Sequence, residues 1–422
     1  MDEMEKIYEI ELTTLVYGGE CLGRLPDGRA AFVPFALPGE RVRVAPSEEK
    51  RGFVRAQLVE VLEASPERIA PRCAHFTSCG GCHYQHMPYA LQTSAKVAIL
   101  QDQLERIGGL SAPPVQPLTP ASQEFYYRNY VQFHLDEQGR LGYHKARSQE
   151  VLPIQECHLP LPVLNELWPQ LDFEALTEIE RIGLRVGAGD DIQIILESSN
   201  PQPPELSVEE LSLSVIHLSP AGALVLAGSP EITMQVAGRE FRLSGGSFFQ
   251  TNTPVAQAMT AHVIDLLDQE GALTTASVGL DVYCGVGLFS AFLAPRVGQL
   301  VGIEASPSAC DDFAVNLDEF DNVSLYEAPA EIALSSLVLQ PDFIRPDFIV
   351  VDPPRQGIDR GALDGLLKLA APRLVYVSCD AATLARDAHR LSAGGYHLEQ
   401  LALFDQFPQT YHIESISSWK RQ

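Results

Sequence analysis

The stretch 277-SVGLDVYCGVGLFS-290 joins a short apolar run to a glycine-rich turn and the first residues of a helical pattern. An apolar run of this length without a polar face reads as a strand covered on both sides. Gly285 and Gly287 let the backbone turn tightly and come close to a ligand before "GLFSAFLAPRV" begins a helix. The rhythm repeats downstream. "QLVGIEAS" (299–306), "PDFIVVDPP" (346–354) and "RLVYVSCD" (373–380) are each followed by a helical pattern, and strands close the chain. A helix, "TPVAQAMTAHVIDLLDQEG" (253–271), precedes the first strand. Short apolar strands alternating with helices predict a Rossmann-like α/β domain with a doubly wound, mostly parallel sheet over residues 244–422. In such sheets ligands bind beyond the carboxyl ends of the strands, so the informative residues stand just after each one.

After the first strand the turn is G-x-G, without the third glycine of a dinucleotide fingerprint. Glu304 closes the next strand about twenty residues further on, where a carboxylate can accept both hydroxyls of a ribose. With Asp281 nearby, this pair suits S-adenosylmethionine better than a dinucleotide, against the plainer role of Glu304 as cap of the helix at "SPSAC". The third strand ends in "VVDPPRQG" (350–357), a loop that two prolines stiffen, which holds Asp352 against a ligand. Cys379 ends the fourth strand and precedes the helix "DAATLARDAHRL", whose N-terminus favours thiolate over thiol; the alternative is an inert packing cysteine. A thiolate that adds to C6 of uracil makes C5 enolate-like and able to take a methyl group. The adduct must then lose its C5 proton to a base. The terminal stretch "FDQFPQTYHIES" supplies Glu414, whose competing role is a surface salt bridge.

Towards the N-terminus, residues 6–63 alternate apolar and polar residues between glycine turns, which predicts a small OB-like closed barrel. The helix "MPYALQTSAKVAILQDQLERIGG" follows, then the proline-rich linker "SAPPVQPLTPASQ". Next comes a hairpin turning at Asp136–Gly139, with further strands to about residue 243. The expected domains are 1–64, 65–243 (α+β) and 244–422. Thirty Lys and Arg against 55 Asp and Glu give a net charge of -25, which on its face opposes a polyanionic partner. Arg41, Arg43, Lys50, Arg51 and Arg55 nevertheless cluster, while acid concentrates in stretches such as "ELSVEEL" and "DDFAVNLDEFD". The charged start "MDEMEKIYEIEL" and the absence of a membrane-length apolar run predict a cytoplasmic protein without a membrane partner.

Three cysteines crowd into 73-CAHFTSCGGCHYQH-86, spaced C-x5-C-x2-C. Eight cysteines in 422 residues are too sparse for a disulfide scaffold, and disulfides rarely persist in the cytoplasm. Gly80 and Gly81 let the loop close round a metal centre. Zinc would recruit His75, His83 or His86 as a fourth ligand. An iron–sulfur cluster prefers a fourth thiolate, and Cys157 lies in a loop able to return to the other three. Cys21 and Cys310 read as packing residues.

Taken together, "FFQTN" (248–252), "DVYCGVGLFS" (281–290), "VGIEAS" (301–306), "VDPPRQG" (351–357), "YVSCDAATLARD" (376–387) and "FPQTYHIE" (407–414) resemble the motifs of the RNA uracil-5-methyltransferase family, in order and spacing, over essentially the whole chain. The resemblance implies a class I methyltransferase domain in which Gln250, Tyr283, Glu304 and Asp352 contact S-adenosylmethionine. Cys379 is then the nucleophile and Glu414 the proton acceptor. It further implies an N-terminal TRAM barrel that binds RNA. It also implies a [4Fe-4S] cluster on Cys73, Cys79, Cys82 and Cys157, acting as a structural staple or RNA-positioning element. TRAM together with four cysteines points to 23S ribosomal RNA, with transfer RNA as the second substrate and a monomer as the expected state. The target uracil must leave its stack to reach Cys379, so a loop or bulge is expected.

Two departures from the pattern stand out. Asp380-Ala381 replaces the usual Asn-Pro after the nucleophile, placing a carboxylate beside Cys379 that opposes thiolate formation. Tyr130 replaces a usual lysine, which removes one phosphate contact. A non-catalytic RNA-binding protein and a small-molecule methyltransferase are competing readings. The intact Asp352, Cys379 and Glu414 oppose the first, and the N-terminal barrel opposes the second.

Overall fold

The computed structural model describes residues 6–173, 178–205, 213–340 and 343–422. The first five residues and all but Glu205 of the acidic stretch 205–211 lie outside them.

Strands β1 (Tyr8–Val16), β2 (Glu20–Arg24), β3 (Ala30–Pro34), β4 (Arg41–Glu49) and β5 (Phe53–Glu63) close into a barrel in the order β1-β2-β3-β5-β4, with β4 returning to β1. Alternation drives the closure. Ile10 and Leu12 of β1, with Val42 and Val44 of β4, point inward between charged neighbours. Those outward charges pair among themselves. Arg43 meets Glu9 at 3.0 Å and Glu60 at 2.8 Å, Arg41 meets Glu63 at 2.5 Å, Arg55 meets Glu20 at 2.8 Å and Lys50 meets Glu48 at 3.1 Å. The cluster expected to offer RNA a basic surface is thus largely neutralised by the barrel's own glutamates. Of the five cations, Arg51 alone has no ion pair among the described residues.

Helix α1 (Tyr89–Arg106) follows the cysteine loop and buries Ile99, Leu100 and Leu104. The proline-rich segment after it is not a free linker. Gln116 N–H donates to the Leu401 carbonyl (2.8 Å) and Thr119 N–H to that of Leu403 (2.8 Å), so the segment covers the outer edge of the last sheet. Prolines suit this place, because an edge needs only half of its backbone groups paired.

The middle sheet is built from β6 (Tyr130–Leu135), β7 (Leu141–His144), β8 (Val151–Pro153), β9 (Ile179–Val186), β10 (Ile192–Ser198), β11 (Ser214–Ser219) and β12 (Gly222–Ala227). Their order is β12-β11-β10-β9-β6-β7-β8, with α2 (Pro162–Leu167) packed against β9. Gly139 N–H donates to the Asp136 carbonyl (3.0 Å) in the expected β6–β7 turn. Strands β13 (Glu231–Val236) and β14 (Arg239–Ser244) form a separate hairpin.

The final domain holds α3 (Thr253–Gln269), β15 (Val278–Val282), α4 (Ser290–Leu293), β16 (Gln299–Glu304), α5 (Pro307–Asn316), β17 (Val323–Glu327) and α6 (Ala330–Leu339). Then follow β18 (Phe348–Val351), α7 (Arg360–Leu369), β19 (Arg373–Ser378), α8 (Ala381–Ala393), β20 (Tyr396–Phe404) and β21 (Glu414–Arg421). The sheet order is β17-β16-β15-β18-β19-β21-β20, parallel except for antiparallel β21 against β19 and β20. The doubly wound sheet expected from the sequence is present, and its direction of winding reverses between β15 and β18. The helix expected after the glycine turn is shorter than its pattern, because Pro295 ends α4 in a single 3-10 turn. Helix α8 buries Leu384, Ala385, Ala388 and Leu391 on one stripe, each leucine contributing roughly 2 kcal/mol. One continuous apolar core unites the barrel interior, α1 and one face of this sheet, so the barrel is built into the body of the molecule. Among the described residues no helix is long and apolar enough to cross a membrane.

Candidate active site

Four strand ends converge where the sheet reverses. Tyr283 follows β15, Glu304 ends β16, Asp352 follows β18 and Cys379 follows β19. Tyr283 holds a left-handed backbone (φ 62°), an uncommon conformation for a residue with a large side chain, and it re-aims the chain beyond β15. Glu414, the first residue of β21, completes the set through sheet register. Ser378 of β19 lies opposite Ser415 of β21, so the next pair outward is Cys379 opposite Glu414. Facing residues of an antiparallel pair stand about 5 Å apart at Cβ. A thiol and a carboxyl separated by 35 positions in sequence therefore share one edge of the cleft.

Gln250 approaches from the loop before α3. Its side-chain carbonyl accepts from Gln406 Nε2 (3.0 Å), and its backbone carbonyl accepts from Asn129 Nδ2 (3.1 Å). The segment "FFQTN" is thereby wedged between the middle sheet and the loop that leads to Glu414. Glu304 is engaged on both oxygens. Oε1 accepts from the N–H groups of Ala305 and Ser306 at 2.7 Å each, and Oε2 accepts from Gly285 N–H at 2.9 Å. Glu304 thus ties the glycine turn after β15 to the chain entering α5 without capping the first helical turn itself, and a carboxylate retains lone pairs for a ribose.

Charge explains the site's chemistry. Burial, then the neighbouring Asp281, lifts the Asp352 carboxyl up to about 7. Burial lifts Asp281 to about 7 as well, opposed by its bond from Ser290 Oγ (2.6 Å). Glu414 is pushed well above the usual carboxylate range by burial and by Asp352. Asp281 Oδ1 is buried without a hydrogen-bond partner among the described residues. This concentration of carboxylates is costly unless a cation enters. S-adenosylmethionine brings a sulfonium and an ammonium, so the donor set fits it.

The sequence predicts a thiolate at Cys379 favoured by the helix N-terminus, and the surroundings of the thiol act against it. Burial pushes the thiol up to about 12, with Glu414 and Asp352 adding to it, Arg355 opposing and Asp380 contributing a smaller upward push. Helix α8 starts only at Ala381, so Cys379 lies outside the first turn, where the dipole fades. Arg355, in the "VDPPRQG" loop, is the functional residue that sequence reasoning passed over. It is the cation acting on both Cys379 and Glu414, and its guanidinium lies 3.4 Å from His412 Nε2. Its position directly after the stiff proline pair was the available signal.

Cys73, Cys79, Cys82 and Cys157 are brought together. They line one cavity of about 330 Å³ that Arg128, Tyr143, Arg355 and His412 also line. The bridge between Cys79 and Lys145, the bond from Gly80 N–H to the His144 carbonyl (3.0 Å) and that from Ala74 N–H to Glu156 (2.9 Å) fold the first loop against the hairpin that leads to Cys157. A Cβ on Gly80 would stand 3.1 Å from that carbonyl, a tight contact that glycine avoids. No disulfide joins any of the eight cysteines. Burial raises Cys73 and Cys157, lifts Cys79 to about 11 and lifts Cys82 to about 12. The buried guanidinium of Arg128 opposes this at Cys79, Cys82 and Cys157. The expected metal centre does not appear as a finished coordination site, since no group of three or more His, Cys, Asp or Glu among the described residues is arranged to hold a metal ion. Of the histidines considered for zinc, His83 lines the same cavity. His75 already accepts from Gln155 N–H (3.1 Å), and His86 does not line the cavity.

A seven-stranded sheet of this order, with acidic residues at its strand ends and a thiol at the rim, is the architecture of a class I S-adenosylmethionine-dependent methyltransferase. The family model described as tRNA (uracil-5-)-methyltransferase matches residues 204–421, and that of the TRAM domain matches residues 5–59. The chain belongs to the tRNA (uracil-5-)-methyltransferase family, an enzyme family acting on RNA, and carries a TRAM barrel. It is similar to an uncharacterized RNA methyltransferase of Streptomyces coelicolor, 35% identical over 97% of this chain and 92% of that one. One of Aquifex aeolicus is 33% identical over 98% of both. The crystal structure of Pyrococcus abyssi tRNA (uracil-54, C5)-methyltransferase with S-adenosyl-L-homocysteine shares the fold, with a TM-score of 0.73 and 21% identity over 97% of this chain and 100% of that one.

Proposed function

We propose that the protein methylates C5 of a uracil in structured RNA, with 23S ribosomal RNA favoured, through a temporary bond from Cys379 to C6. The observation that carries this reading is the register that sets Cys379 opposite Glu414 at the rim of a carboxylate-lined pocket. Entry of the positively charged S-adenosylmethionine favours the ionised forms of Cys379 and Glu414, and each loses its proton to solvent; Cys379 then adds as thiolate to C6, and the electron pair moves to C5. C5 takes the methyl group from S-adenosylmethionine, whose sulfur leaves neutral. Glu414 as carboxylate then removes the C5 proton, and the returning electrons expel Cys379 as thiolate. Asp352 and Asp281 favour the cationic cosubstrate over its neutral product, which aids release. Transfer RNA is the second substrate reading. The family's description and the Pyrococcus abyssi enzyme of like fold both concern transfer RNA.

Cys73, Cys79, Cys82 and Cys157 would hold a [4Fe-4S] cluster, with Arg128 facing its negative charge and Gly81 N–H donating to Cys79 Sγ (3.4 Å). When bound, the cluster supplies a rigid cross-link between the loop and the hairpin. Protein purified without oxygen should be brown with about four irons per chain. A colourless protein holding one zinc overturns that assignment.

Incubation with labelled S-adenosylmethionine and total unmodified RNA, followed by mapping of the label, tests the main reading. Label at C5 of a ribosomal uridine is expected. Label in transfer RNA selects the second reading, and label away from uracil C5 sinks both.

A further inference from the structure

The turn between β1 and β2, Tyr17-Gly18-Gly19, does not end in solvent. It is inserted against the catalytic domain. A Cβ on Gly19 would lie 3.1 Å from the Tyr411 ring and 3.2 Å from His83 Cβ, so only glycine permits this approach. The Tyr17 ring meets Tyr411 edge-on at 6.0 Å, three residues before Glu414. Its phenol O–H donates to Asp380 Oδ2. Asp380 is the residue after Cys379, and its other oxygen accepts from Thr383 N–H (2.9 Å) as the cap of α8. A residue of the barrel, 362 positions before the proposed nucleophile, therefore holds the carboxylate beside that nucleophile.

We propose that Tyr17 is a positioning residue for methyl transfer: its phenol fixes and screens the Asp380 carboxylate, so that the barrel governs how readily Cys379 becomes a thiolate. The inference rests on Cys379 being the nucleophile. A bare carboxylate next to a thiol opposes thiolate formation, and an O–H dipole aimed at that carboxylate offsets part of its field. Where the sequence pattern of the family carries a neutral asparagine, no such screening is needed. This chain pairs the charged substitute with a donor from another domain. The other groups acting on Cys379 are Glu414 of β21, with Asp352 and Arg355 of the loop after β18. Those acting on Tyr17 besides Asp380 are Tyr411 and Arg355. None of them donates to Asp380 Oδ2 among the described residues, so the phenol is its specific partner.

The test follows alkylation of Cys379 by iodoacetamide in the full-length protein, without RNA or S-adenosylmethionine, with the site read by peptide mass spectrometry. At a fixed pH the rate tracks the thiolate fraction. Tyr17→Phe keeps the ring and should slow alkylation about threefold, equivalent to about half a pH unit. Asp380→Asn should speed it. Adding Tyr17→Phe to Asp380→Asn should change nothing further, the outcome a double-mutant cycle gives for a partnership between the two residues. Faster alkylation in Tyr17→Phe means that the phenol only packs the site shut and overturns the proposal. So does an unchanged rate, or slowing by Tyr17→Phe that persists in the Asp380→Asn background. Trapping of wild-type protein on 5-fluorouracil RNA is run in parallel. If no adduct forms, the nucleophile assignment fails independently of the alkylation result.

Discussion

At the residue scale the proposed reaction depends on one sulfur and one carboxylate. Cys379→Ala should abolish methylation while S-adenosylmethionine still binds, as read by calorimetry, because the pocket's carboxylates remain. Full activity in that variant removes the covalent route. Glu414→Gln should accumulate a protein–RNA adduct that survives a denaturing gel, since the C5 proton then has no acceptor; normal turnover would point to another base. The pocket acids also make a pH prediction. Asp281 and Asp352 titrate at about 7 in the folded protein but at about 3.9 when unfolded. The folded state therefore binds extra protons between those values, and the stability they contribute is lost as pH rises through about 7. A cationic ligand compensates for the buried negative charge. The thermal shift given by S-adenosylmethionine should therefore be larger at about pH 8 than at about pH 6, and larger than that given by S-adenosylhomocysteine. Asp352→Asn should remove most of the pH difference; an equal shift at both pH values argues that these groups do not face the sulfonium.

At the element scale, the loop bearing Glu414 is held from α1. Lys96 Nζ donates to Asp405 Oδ1 (2.6 Å) and to the Phe407 carbonyl (3.0 Å), and both charged side chains are fully buried. Gln92 accepts from Gln409 N–H (3.0 Å), while the Gln409 carbonyl accepts from His83 and Tyr84 N–H (2.9 and 3.1 Å), directly after Cys82. The base loop and the cysteine loop are thus stitched together. Lys96→Met leaves Asp405 a buried, unpaired carboxylate and should cost about 3–5 kcal/mol in urea unfolding, with methylation falling alongside. A loss under about 1 kcal/mol would mean that Asp405 is neutral or hydrated. Lys96 sits on the face of α1 that carries Ile99 and Leu100. Helical periodicity marks that face as buried, but it cannot say that a lysine there meets an aspartate 309 positions away.

At the scale of the whole molecule, the net charge of -25 and the ion-paired barrel leave few cations for phosphates. RNA affinity should fall with salt, but shallowly, with a log–log slope of about -2 to -3. A slope steeper than about -6 would show that barrel ion pairs open to grip the backbone, and a flat one would leave recognition to shape and stacking. The sequence by itself determined the sheet class, the strand ends that carry Tyr283, Glu304, Asp352 and Cys379, and the barrel. Those follow from periodicity, glycine turns and chain order, which are local properties. Only the tertiary structure decided that β21 returns antiparallel to set Glu414 across from Cys379, that Cys157 closes on the other three cysteines, that burial opposes ionisation of Cys379, and that Tyr17 reaches Asp380. Each of these depends on groups far apart in the chain meeting where water is excluded, and neither strand register nor desolvation is written in the order of neighbouring residues.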